Sequence, residues 1–202
     1  ANNLAHEALG VLSVLHDATG HPDLEAPSRL IEGAANVIAG RPADALAQLG
    51  DSVLASSADA RLWRTMARVQ LGDLDGARQE ALGSELLAAN YPGWIKTRYL
   101  LAGIRAAVGE QDVTLATRLL RQIDLAAMSR DQISEFEMLS GMLDELNGRT
   151  AEALESYGRV IAADAPLPAI VVAPTAGTHD HGPAHDHDVP IVLVHGFTQS
   201  SA

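Results

Sequence analysis

Apolar residues recur at three- and four-residue steps along most of the chain: Leu4, Ala8, Val11, Leu12 and Leu15 in one segment, Phe136, Leu139, Leu143 and Leu146 in another. That period lays one apolar stripe along an α-helix and does not suit a strand, whose side chains alternate every second residue. Near the end of the pattern Ala153, Tyr157 and Val160 continue a stripe that Thr150 opens as an N-cap and Pro166 stops. Ser129 with Gln132 fits a capping box at the start of the helix before it. The expected structure is a succession of helices over residues 1–165, followed by something different.

The stripes repeat with a long period. A turn residue followed five positions later by Ala occurs at Asn3/Ala8, Gly40/Ala45, Gly72/Ala77 and Gly148/Ala153, with a copy two residues longer at Gly109/Ala116. The alanines stand 37, 32, 39 and 37 residues apart, the period of a stacked helix pair. Gly or Asn at the turn supplies the left-handed conformation that lets a chain leave one helix for an antiparallel partner. Seven residues before each turn glycine stand Gly33, Thr65, Ala102 and Gly141, small enough to let the second helix approach.

Residues Phe136 to Pro166, with Gly141, Gly148, Ala153 and Tyr157, resemble a tetratricopeptide repeat. The family's large aromatics of the first helix are replaced here by Arg29, Arg61, Arg98 and Glu137, then by Asn36, Arg68, Arg105 and Asp144. The resemblance implies an all-α, right-handed solenoid of antiparallel helix pairs over residues 1–165. It also implies a protein or peptide partner held on the concave face, which the first helix of each pair lines. Ala1 to Asn3 read as the end of a first helix, so the array is expected to open mid-repeat, as part of a longer one.

Composition agrees with close-packed helices: 47% apolar residues but only 3% aromatic. The net charge is −12, and residues 166–202 hold three acids and no base, leaving 14 bases against 23 acids, or −9, for the helical part. Such a chain repels phosphate-rich partners, which argues against nucleic acid. With no cysteine there is no disulfide, thiolate metal site or thiol catalysis, and no redox information. No apolar run is long enough to span a membrane. No address signal is legible, and the reading leans to the cytoplasm; the oligomeric state stays open.

Candidate chemistry within residues 1–165 is sparse. Arg29, Arg61 and Arg98 recur eleven residues before successive turn glycines, and Arg68 and Arg105 four before two of them. Equivalent positions of a solenoid stack, so these five form a candidate ladder of guanidinium forks for the carboxylates of an acidic or C-terminal peptide. The bland reading is that they are solvated or pair with nearby acids, at about 0–1 kcal/mol per exposed pair. Trp63 and Trp94 are read first as core, and otherwise as anchors for a partner side chain. His6, His16 and His21 are scattered, and no acid–base pair, phosphate loop, H-E-x-x-H or nucleophile elbow is present. An enzyme is not expected, nor a cofactor.

Two further segments follow. Residues 166–188, rich in Pro, Gly, His and Asp, read as a mostly disordered linker whose His179, His181, His185 and His187 offer imidazoles for weak zinc binding. Residues 189–202 contain the buried-strand run Val189 to Val194 ending at His195-Gly196, which resembles the early strand and oxyanion loop of an α/β-hydrolase. The resemblance implies an oxyanion contact from the backbone N–H of Phe197, but the elbow, acid and catalytic His do not follow. The second reading is therefore the adaptor portion of a hydrolase fusion. Its rival is an unrelated extension joined by truncation or frame change.

Overall fold

The computed structural model describes residues 5–12 and 24–164. Among these every regular element is helical. Residues 5–12 form α1; then come α2 (Glu25–Ile38), α3 (Pro42–Leu49), α4 (Ala58–Gln70), α5 (Leu74–Leu82), α6 (Gly93–Gly109), α7 (Val113–Leu120), α8 (Arg130–Leu146) and α9 (Thr150–Asp164). Short 3-10 turns at Ser52–Leu54, Leu87–Asn90 and Leu125–Ala127 join the pairs. The linker with its four histidines and the segment from Val189 to Ser201 lie outside the described residues.

Each long first helix ends against a shorter second one: α2 on α3, α4 on α5, α6 on α7, α8 on α9. The first helices also touch their successors, α2 with α4, α4 with α6 and α6 with α8, while α3, α5 and α7 each pack on the following first helix. One core of buried residues therefore runs through all four pairs, including Leu49, Leu62, Tyr99, Ile104, Leu115 and Leu139.

Chain reversal inside each pair follows one geometry. The reversing residue has positive φ: Gly40 at 73°, Gly72 at 78°, Gln111 at 56° and Gly148 at 73°. The N–H just beyond it bonds back to a carbonyl five residues earlier, as in Arg41 to Asn36 (2.9 Å), Asp73 to Arg68 (3.0 Å), Asp112 to Ala107 (2.7 Å) and Arg149 to Asp144 (2.8 Å). These bonds satisfy carbonyls that a helix end would leave open. Ala45, Ala77, Ala116 and Ala153 each stand five residues after the reversal, and none is more than 1% exposed.

The third reversal differs from the sequence expectation. Gly109 is the last residue of α6, and the left-handed conformation falls on Gln111. Counted from there Ala116 is in register with the other three alanines, so the longer copy is not longer. In α6 the close approach falls not on Ala102 but on Gly103, where a Cβ would stand 2.7 Å from Leu119. Gly103 lies eight residues before its reversal, where Gly33 and Gly141 lie seven before theirs, and the buried Ile104 takes the place seven before. Gly33 meets Leu49 and Gly141 meets the ring of Tyr157 in the same way. Thr65 fits by bonding its hydroxyl to the Arg61 carbonyl, at 3.0 Å.

The helix starts are capped by side chains that compete with water for exposed backbone N–H groups. Ser57, Asp73 and Asp112 accept from Ala60, Gly76 and Leu115, and Ser129 with Gln132 completes the expected capping box. Thr150 is the first residue of α9 rather than its cap. In α4, Arg64 is 8% exposed and forks onto Glu80 of α5 at 2.8 and 3.0 Å, with a third bond of 2.8 Å to the Leu49 carbonyl. A buried guanidinium needs these partners to offset its desolvation, and this one joins three helices.

Placing Gly at position 111 removes the Cβ penalty of a left-handed residue, so Gln111→Gly should raise stability by about 0.5–1 kcal/mol in urea unfolding. A decrease would mean that Gln111 is not strained.

Backbone N–H donation from Val53 holds the Asp51 carboxyl below its usual 3.8, and the Arg68 guanidinium followed by the Gly76 N–H does so for Asp73. Carboxyls with depressed folded pKa values stabilise the fold above pH 3.8 and lose that contribution as pH falls through the depressed values. Asp73→Asn should therefore lower stability at neutral pH and flatten its loss below about pH 4. Parallel acid-unfolding curves for variant and parent would refute this.

Candidate functional groove

The first helices of the pairs enclose a groove of about 710 Å³. Its apolar wall comes from Val37 and Ile38 of α2 with Trp63, Met66 and Val69 of α4; α6 adds Trp94, Ile95, Leu101 and Ala102. The polar lining comes from Arg98 and Arg105 of α6 and from Ser129, Asp131, Gln132 and Glu135 at the start of α8.

Counting back from the reversing residues explains why these side chains converge. Ile38 and Gln70 stand two residues before, Met66 and Arg105 six, Trp63 and Ala102 nine, Arg98 and Glu135 thirteen. Steps of three and four keep all these positions on one helix face, and the stacked helices turn that face the same way.

The five candidate arginines divide along this line. Arg98 and Arg105 line the groove. The Arg98 guanidinium lies over the Trp94 indole, 5.7 Å from the ring centroid, and Arg105 reaches Glu135 at 2.9 Å, linking α6 to α8. Arg29 instead forks onto Glu25 at 3.1 Å, with Gln48 at 3.1 Å and Asp51 at 3.4 Å around it. The Arg61 side chain runs against Gly83, where α5 ends. Arg68 pairs with Asp73 across its own reversal and stands 3.9 Å from Glu80.

The structure thus places these arginines on two faces of the helices. With the third reversal at Gln111, the position eleven residues before it is Leu100, not Arg98, and the position four before it is Ala107, not Arg105. A two-residue slip turns a helix by about 200°, which takes Arg98 and Arg105 from the face of Arg29, Arg61 and Arg68 to the groove. Arg68 belongs to another set: its pair with Asp73 recurs in the last reversal with the charges exchanged, Asp144 holding Arg149 at 2.6 Å.

The two tryptophans also part company. Trp63 is 5% exposed and meets Tyr91 edge to face at 6.0 Å, so it belongs to the core and shows the groove one edge. Trp94 is 50% exposed, and its ring opens on the groove under Arg98. A half-exposed indole held by a cation offers contact area whose ordering cost is already met. Glu135 and Asp131 were not singled out by spacing, and Gln132 only for its capping box, because their place in the groove arises only where α8 crosses beside α6.

Among the described residues, no cluster of three or more His, Asp or Glu could hold a metal ion, and no helix is long and apolar enough to cross a membrane. No family model, curated protein or solved structure matches the chain.

Trp94→Ala should leave stability within about 1 kcal/mol of the parent, whereas Trp63→Ala should cost about 3–5 kcal/mol. Urea unfolding reads both, and acrylamide should quench Trp94 in a Trp63→Phe chain. A protected Trp94, or equal losses for both alanine variants, would contradict the placement of the indoles.

Proposed function

We propose that residues 1–165 form a right-handed solenoid of the tetratricopeptide type that acts as a protein-interaction scaffold, with a peptide or partner helix lying in the groove of the first helices. The observation that carries this reading is the groove itself, where an apolar wall, a half-exposed Trp94 and two arginines share one stripe. Support for the solenoid comes from the repeated reversal geometry and from first helices packed on one another in sequence order.

In this reading Trp94 and the apolar wall take an aliphatic or aromatic side chain of the partner. Arg98 and Arg105 take its carboxylates, Arg105 by exchanging Glu135 for the incoming acid. Arg29, Arg61 and Arg68, which face away from the groove, hold the array together or meet a partner that wraps past its edge. No reaction and no cofactor are part of this function. The apolar run Val189 to Val194 followed by His195-Gly196 in the sequence supports the second reading, an adaptor for an α/β-hydrolase.

Peptide display selected on the whole chain tests the proposal. Peptides recovered by the parent should bind Trp94→Ala/Arg98→Ala at least tenfold more weakly, a loss of about 1.4 kcal/mol. Their affinity for an Arg29→Ala/Arg61→Ala chain should be little changed. Undiminished binding by the Trp94/Arg98 variant would remove the groove from the function.

A further inference from the structure

Four charged side chains line the groove, and their signs are sorted by helix. Arg98 and Arg105 stand on α6, Asp131 and Glu135 on α8, and the lining from α2 and α4 carries no charge. Taken in chain order, the groove is therefore apolar over α2 and α4, positive over α6 and negative over α8.

These four charges are not equally free. Arg105 and Glu135 meet at 2.9 Å and neutralise each other. Arg98 lies over the Trp94 indole, and Asp131 stands in the first turn of α8, where the helix dipole favours an acid. Among the described residues neither is in an ion pair, with each other or with any other side chain. Arg98 is two turns from Arg105 along α6, and Asp131 is one turn from Glu135 along α8. The groove thus holds one open cation and one open anion beside its apolar wall, with a closed bridge between the same two helices.

We infer that the partner carries a base as well as an acid next to its apolar side chain, the carboxylate going to Arg98 and a lysine or arginine going to Asp131. This rests on the groove being the binding site and narrows what the groove accepts. A partner with acids alone would set one of them against Asp131 or Glu135, and a like-charge contact at an interface is costly. Such a partner would also approach a chain of net charge −12 against repulsion, which a basic residue relieves. An acid that displaced Glu135 from Arg105 would release a second carboxylate on α8, and so strengthen the demand for a base.

Peptide display on the full chain, with the selected peptides then titrated against variants, tests the inference. Peptides recovered by the parent should contain a lysine or arginine in addition to an acid. Asp131→Lys should bind them at least tenfold more weakly and regain the affinity when that base is replaced by glutamate, a rescue that also shows the variant to be folded. Arg98→Glu should behave as the mirror image, rescued by lysine in place of the acid. Selected peptides without a base, or peptides that Trp94→Ala weakens and Asp131→Lys does not, would overturn this inference while leaving the groove as the binding site. A loss in Asp131→Lys that no charge-matched peptide restores would overturn it as well. Binding indifferent to Trp94→Ala and Asp131→Lys alike would remove the groove, and this inference with it.

Discussion

Two helices can lie side by side only as closely as the side chains between them allow, and every pair in this protein depends on keeping that space small. Gly33, Gly103 and Gly141 leave no room for a Cβ against Leu49, Leu119 and Tyr157, and a buried alanine answers from the second helix. The left-handed reversal sets the register in which these residues meet. A shift of one residue turns a helix by about 100°, and the α6–α7 pair offsets such a shift on both sides. Gly103 stands eight residues before its reversal and not seven, and meets Leu119 eight residues after it, where Leu49 and Tyr157 stand nine after theirs. The groove is a consequence of the same register, since it fixes which stripe of each first helix is turned away from its partner.

Much of the helical part was legible because its determinants are local. Apolar period, turn glycines, the Ser129 capping box and the recurring alanine each act within a few residues, and the sequence displays them directly. The third reversal was not legible for a matching reason: the eye goes to Gly109, while the strained position belongs to Gln111. Nothing in a glutamine announces positive φ. What reveals it is Ala116, which falls into the common spacing only when the count starts there.

The groove was less legible, since it depends on how separate helices cross. The arginines drew attention by period alone, and a two-residue error in one reversal was enough to merge residues of two helix faces into a single ladder. Arg64, with the most demanding environment among the arginines, stood in no periodic set, because its partners come from α3 and α5 and occur once. Trp94 read as core for want of any local mark that α6 would present it to the outside. Side chains that act across helices leave little trace in the spacing of their own helix.

The exchanged ion pairs bear on how such an array can change. Arg68 with Asp73 and Asp144 with Arg149 bridge the same two positions around a reversal, so the pair is self-contained: its charges are balanced before any neighbour arrives. A segment carrying its own balanced bridge can be duplicated, lost or moved along the chain without stranding a charge next door. Evolution by shuffling of whole units is then open to these two repeats. The pair bridged by Arg78 to Asp112 cannot move alone, because half of its bond belongs to the following unit.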